Sequence, residues 1–135
     1  MTAKTIVTLG IVLVLPGIIC GCSNAVGKAI SKYHAEAPKI QLGMPKNEVL
    51  RILEPSQQNL SLRQTRGPEQ YNRDGDHVEI HFFRSHANYD KILTDDEFTP
   101  YIFEDGKLTA IGWTAIGGPK TQAKPIPEQH ITIIR

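Results

Sequence analysis

Three features of this 135-residue chain predict an α+β fold, with one or two short helices packed on an antiparallel sheet of three to four strands. Apolar residues recur at helical spacing in "LGMPKNEVLRILEPS", residues 42–56. Beyond that stretch the period changes to two, in two runs that are each broken by an Asp-Gly pair. Asp-Gly is favoured in two-residue hairpin turns, where both central residues take positive φ. The length suits one domain. With 40% apolar residues, 11 Gly and 9 Pro, the composition suits a single modest core with much turn.

The first twenty residues stand apart from this fold. "MTAK" carries one lysine and no acid, and "TIVTLGIVLVLPGIIC" follows without a charge. A membrane-spanning helix needs about 20 apolar residues; this run is shorter and is interrupted by Pro16-Gly17. A basic start, a short apolar body and a small residue before a cut describe an export signal, placed here at residues 1–21. Both cysteines of the chain, Cys20 and Cys22, lie at its end. As a Cys-X-Cys metal site they lack a further Cys or a nearby His to complete a tetrahedral set.

Ile19-Cys20-Gly21-Cys22 resembles the lipobox of bacterial lipoproteins, an aliphatic residue, a tolerant position and a small residue before the modified cysteine. That resemblance implies a diacylglycerol thioether on the cysteine sulfur, cleavage before the residue and acylation, for instance with palmitate, of the new amine. Cleavage before Cys22 puts Gly21 at the small position, whereas cleavage before Cys20 would put bulky Ile19 there, so Cys22 is the expected lipidation site. The mature chain then keeps no free thiol, which leaves no disulfide. Each buried methylene contributes about 0.8 kcal/mol, and one chain alone holds only marginally, so three chains would anchor the protein without a spanning helix. Ser23 rather than Asp follows the anchor, which by the same resemblance favours the periplasmic face of the outer membrane.

Residues 22–41 are expected to be a tether; Val26, Ile30 and Tyr33, at i, i+4 and i+7, give it one narrow helical stripe. In residues 42–56, Val49, Ile52 and Leu53 fall at i, i+3 and i+4, with Lys46, Asn47 and Arg51 on other faces. Pro45 suits a first helical position, and Pro55 is expected to stop the helix. "YNRDGDHVEIHFF" reads as a hairpin about Asp74-Gly75, with Arg73 facing Asp76 and Tyr71 facing Val78. Alternation then gives Tyr71, Val78, Ile80 and Phe82 one face and His77, Glu79 and His81 the other, expected to be wet.

"TPYIFEDGKLTAIGW" repeats the device about Asp105-Gly106, with Phe103 facing Leu108, Tyr101 facing Ala110 and Phe98 facing Trp113. One face carries Tyr101, Phe103 and Leu108 and can lie on the helix. The opposite face carries Phe98, Pro100, Ile102, Ile111 and Trp113 and needs a cover of its own. Tether or tail could supply it; so could a partner protein, since large apolar patches mark contact sites. Phe98, Ile102, Ile111 and Trp113 are therefore the candidate partner-binding residues. Residues 42–116 form the expected domain, and 117–135, Gly/Pro-rich and polar at the start, a flexible C-terminal tail.

Little in the chain points to chemistry. Fifteen basic against 14 acidic residues, with no basic run, argue against nucleic acid as a partner. With Lys4 in the leader, the mature body carries 14 of each. His77-X-Glu79-X-His81 places three possible ligands on one strand face, but side chains two apart sit about 6.6–6.8 Å from each other along a strand, too far for adjacent zinc ligands. "TDDE", residues 94–97, lacks the glycine and alternating oxygens of a calcium loop; Thr94 with Glu97 fits a capping box. No Gly-X-Ser-X-Gly surrounds Ser56, Ser61 or Ser85, and Gly117-Gly118 leads into no helix. The expectation is a non-enzymatic chain without cofactor or metal.

"LGMPKNEVLRILEPS" is similar to the Gly-Met-[Ser/Thr]-X-X-X-Val-X-X-X-Leu-Gly-X-Pro signature of small outer-membrane lipoproteins of the SmpA/OmlA, or BamE-like, family. "DGDHVEIHFFRSH", "LTDDEFTPYIFEDGKLTAIGW" and their order resemble more closely a related lipoprotein family defined only by a domain of unknown function. Pro45 replaces that signature's hydroxyl N-cap, and Glu54 its helix-ending glycine. The resemblance implies a BamE-like α+β module, lipid-anchored inside the outer membrane, that serves as a scaffold or accessory protein for an envelope protein partner. The alternative is a periplasmic module that binds a small ligand, a lipid or a peptidoglycan fragment, in a pocket lined by Trp113 and Tyr101.

Overall fold

The computed structural model describes residues 24–88 and 90–122. Helix α1 (Ala25–Glu36) precedes helix α2 (Lys46–Gln57), and four strands follow: β1 (Glu69–Arg73), β2 (Asp76–Arg84), β3 (Phe98–Glu104) and β4 (Lys107–Ile111). The strands form one antiparallel sheet in the order β1-β2-β3-β4. Both helices lie on one side of it, so the chain has an α+β fold with two helices on a four-stranded sheet. Asp74 and Gly75, and again Asp105 and Gly106, take positive φ. These tight turns fix the pairings Arg73–Asp76 and Glu104–Lys107.

The inner, helix-facing side of the sheet buries Phe83, Tyr101, Phe103 and Leu108 against Tyr33, Ile40, Val49 and Leu53. Truncating a residue as enclosed as Leu53 to alanine costs about 2–5 kcal/mol through lost transfer energy and the cavity left behind. The expected tether is thereby corrected, because α1 is a packed element of the domain. Asn24 caps it, its side chain accepting from the Gly27 N–H. Ala29 and Tyr33 are its buried positions, with Val26 and Ile30 only half-buried beside them.

Both prolines of α2 act differently from expectation. Pro45 is the N-cap residue, its extended backbone (φ −60°, ψ 141°) suiting a position just outside the helix. The segment 43–46 runs along β4 as a short bridge: Gly43 N–H donates to Leu108 O, Leu108 N–H to Met44 O and Lys46 N–H to Gly106 O. These bonds supply the start that a hydroxyl cap would otherwise give. Pro55 lies inside the last turn, and the helix continues to Gln57. There the Gln57 side chain accepts from the Arg84 N–H at 2.9 Å and so holds that turn on β2.

On the outer side of the sheet a second cluster joins Val78, Ile80, Phe82, Phe98 and Ile102, with Ala110, Trp113 and Ile116 against it. Among the described residues, its cover comes from the chain directly after β4. A 3-10 turn, Trp113–Ile116, folds back after β4 and lies over the strands. Gly112 permits the reversal, with φ 94° and ψ 163°, a region closed to residues with a Cβ. Among the described residues no helix is long and apolar enough to cross a membrane.

Candidate partner-binding face

The four candidate contact residues do not share one surface. Phe98 and Ile102 are each 3% exposed and belong to the outer cluster's interior. The register slips between Ile102 and Phe103, so that Phe103 pairs with Leu108, but Ile102 pairs with Ala110 and Tyr101 with Ile111. Thr109 is the extra residue, and a bulge of this kind reverses the facing of everything beyond it. Ala110 therefore takes the outer position expected of Ile111, and Ile111 moves to the inner side, at the open rim, 40% exposed. Trp113 remains on the outer side, half-buried. It does not face Phe98 as a strand residue; its Nε1–H donates to Phe98 O at 2.7 Å from the 3-10 turn. The lipidation site expected at Cys22 lies outside the described residues.

What the outer face does present is a shallow hollow of about 190 Å³ lined by Arg66, Tyr71, Phe82, Trp113, Ile116 and Lys120, among others. The Arg66 guanidinium lies 4.0 Å from the centre of the Phe82 ring and 5.4 Å from that of Trp113. Two carboxylates hold it there, Asp95 and, at 2.6 Å, Glu69. The Asp95 carboxylate also accepts from the backbone N–H groups of Lys120 and Thr121, and so fastens the chain after the 3-10 turn beside the hollow. A cation over ring faces, flanked by exposed aromatic surface, suits a binding face with an apolar floor and a polar edge. Of these residues, Arg66, Tyr71, Phe82 and Ile116 escape a reading of the sequence for contacts. Arg66 sits in a non-periodic linker, and only the closed sheet brings it to Trp113.

Arg84, the last residue of β2, enters a buried ion pair. Glu97 is 1% exposed and accepts from the Arg84 guanidinium at 2.8 Å, from Asn88 N–H at 2.8 Å and from Thr94 N–H at 3.0 Å. The Thr94/Glu97 capping box is present in full, on a 3-10 turn, Asp95–Glu97. Charge pairing and backbone donors together satisfy a carboxylate that could not otherwise be buried.

His77, Glu79 and His81 occupy the inner side, where His77 stays exposed as expected while Glu79 and His81 are largely covered. Lys46, at the start of α2, places its ammonium 2.8 and 2.9 Å from the two Glu79 oxygens. His77 and His81 each bring Nε2 to the same carboxylate, at 3.3 and 3.2 Å. His81 packs edge-on to Phe103. The trio thus joins helix to sheet. Chiefly through its hydrogen bonds to Lys46, the Glu79 carboxyl is held below the usual glutamate range, although burial opposes the shift. Among the described residues no group of three or more His, Cys, Asp or Glu side chains is arranged to hold a metal ion.

Tyr101 and Trp113 cannot line a common pocket, since Tyr101 is buried on the inner side and Trp113 lies on the outer. A hollow of about 380 Å³ lies elsewhere, as an open groove between α1 and α2 lined by Lys32, Ala35, Glu36, Arg51, Ile52, Pro55 and Ser56. No family model, no curated protein and no solved structure matches the chain.

Proposed function

We propose that this chain is a small outer-membrane lipoprotein, anchored through acyl chains on Cys22 and facing the periplasm, that acts as a scaffold or accessory protein for another envelope protein. The sequence of the leader and its likeness to a lipobox support the anchor. Helix α1 begins at Ala25, so only Ser23 and Asn24 separate the proposed anchor from the packed body. Three residue steps span at most about 11 Å, which would keep the domain against the bilayer. The likeness of residues 42–56 to the signature of BamE-like lipoproteins supports the accessory role, and the likeness of stretches within 74–113 to a related lipoprotein family supports the envelope location.

The observation that carries the binding role is the hollow in which Arg66 lies across Phe82 and Trp113 beside the exposed ring of Tyr71. In this reading the chain performs no reaction and requires no cofactor. Its test is photo-crosslinking in intact cells from position 71, with Leu62 as the control position, followed by identification of the captured protein. Capture of one envelope protein from position 71, lost in Arg66→Glu, is the expected result. Equal capture from both positions would rule the face out. Mass spectrometry of the natural product tests the anchor separately, by the acyl mass on Cys22.

The alternative, a binder of a small ligand, a lipid or a peptidoglycan fragment, rests on the α1/α2 groove. There Lys32 and Arg51 flank an apolar floor of Ala35, Ile52 and Pro55. Titration of the protein with anionic lipid headgroups and with muropeptides, with loss of binding in Arg51→Glu, would support it over the scaffold role.

A further inference from the structure

Among the described residues, the sheet has one edge closed by its own chain and one left open. Residues 43–46 cover β4. Strand β1 is last in the order, has no strand on its far side among the described residues, and is exposed along all five residues. No bulge interrupts its pairing with β2.

Which backbone groups of β1 point outward follows from the turn. With positive φ at Asp74 and Gly75, Arg73 and Asp76 close a two-residue loop, and Arg73 turns its carbonyl toward β2. His77 accepts from Asp105 N–H at 3.1 Å and therefore faces β3, so its partner Asn72 faces away from β2. Alternation along an antiparallel ladder then sends the N–H and C=O groups of Gln70 and Asn72 outward.

We propose that this edge pairs with the same edge of a second copy, antiparallel, about a twofold axis at Tyr71. "EQYNR" is complementary to itself in that arrangement: Glu69 lies opposite Arg73 of the second copy, Gln70 opposite Asn72, and Tyr71 opposite Tyr71. The two Gln70–Asn72 pairs are those whose backbone groups point outward, so each exchanges two ladder bonds. The register is specific. Moving the axis to Gln70 puts Pro68, which has no N–H, into the ladder, and moving it to Asn72 puts the turn residue Asp74 there. Tyr71 meets its copy at a position without ladder bonds, where Cα atoms approach to about 4.5 Å and aromatic pairs make contact.

Charge continues the match. Glu69 is held by Arg66 and Arg73 by Glu104, and the side chains of Glu69 and Arg73 are each 51% exposed. Across the axis they complete a row of alternating sign: Arg66, Glu69, then Arg73 and Glu104 of the second copy. The axis runs perpendicular to the sheet, which puts the helices of both copies on one side. A five-residue edge is smaller than a standard interface, so pairing is weak in solution and is strengthened by confinement to a membrane surface.

The test is sedimentation equilibrium of the full chain in detergent over a wide concentration range. Wild type should show a concentration-dependent dimer. Glu69→Arg and Arg73→Glu should each weaken it at least about tenfold by placing like charges opposite one another, and the combined E69R/R73E chain should restore it. Asn72→Pro, which removes an N–H the fold does not use, should leave circular dichroism unchanged and the protein monomeric. A wild-type monomer at every concentration, a dimer indifferent to the single charge reversals, or a double reversal that fails to restore pairing overturns the proposal.

Discussion

The hydroxyls of Tyr33 and Tyr101 lie 3.0 Å apart across the interior, joining the first helix to a central strand 68 residues later. Both rings are buried, and the bond ties to the sheet a helix whose own apolar stripe is narrow. Removing one hydroxyl strands the other, at about 1–3 kcal/mol, whereas removing both leaves two rings that pack without an unmet group. Tyr33→Phe and Tyr101→Phe should therefore each destabilise the domain in urea unfolding, and the double variant by less than their sum.

The same pair governs alkaline stability. Burial, with help from the Tyr33 hydroxyl, pushes the Tyr101 phenol well above its ordinary value of 10.0. A folded pKa raised above the unfolded one gives stability that is whole below the unfolded value and falls as pH rises past it, because only the unfolded chain releases the proton. The melting temperature should drop above about pH 10, and Tyr101→Phe should flatten that drop.

At Glu79 the sign reverses. Its folded pKa is depressed by Lys46, so its contribution is present above the unfolded value of 4.5 and is lost as pH falls through that value toward the folded one. Urea midpoints measured from about pH 5 down to about pH 3 should fall less steeply in Glu79→Gln than in wild type. Lys46→Met should behave like Glu79→Gln.

Glu97→Ala should be among the most damaging single changes outside the apolar core. It leaves the Arg84 guanidinium and two backbone N–H groups without their acceptor, in surroundings that exclude water. Breaking a buried pair from one side costs about 3–5 kcal/mol. The exposed Glu54→Ala, by contrast, should stay within about 0.5 kcal/mol of wild type. Chemical denaturation of the two variants side by side checks the difference.

Trp113 is the chain's one tryptophan and reports on the outer cover. Gly112→Ala forces a Cβ into a backbone region that costs about 1–3 kcal/mol, so the turn over Phe98 and Ile102 should loosen. A red shift in fluorescence ahead of global unfolding is expected, and an unchanged spectrum would show that the turn tolerates the strain.

Much of the fold is legible along the chain because its causes are local. The Asp-Gly pairs at 74–75 and 105–106 set both turns through φ alone. The i, i+3, i+4 spacing of Val49, Ile52 and Leu53 sets α2, and the Thr94/Glu97 box closes within four residues. Each signal reaches no further than a turn of backbone, so short-range sterics are enough to read it.

Tertiary structure decided the rest. One extra residue, Thr109, reverses Ile111 and removes it from the face where strict alternation places it. Lys46 and α2 cover the Glu79 side of β2, the face that alternation marks as the wet one. Arg66 reaches Phe82 and Trp113 only after the sheet forms, and among the described residues it is the bonding of residues 43–46 to β4 that leaves β1 as the uncovered edge. These outcomes depend on packing summed over residues distant in sequence, where a small local cost such as a bulge or an embedded proline is outweighed by burial elsewhere.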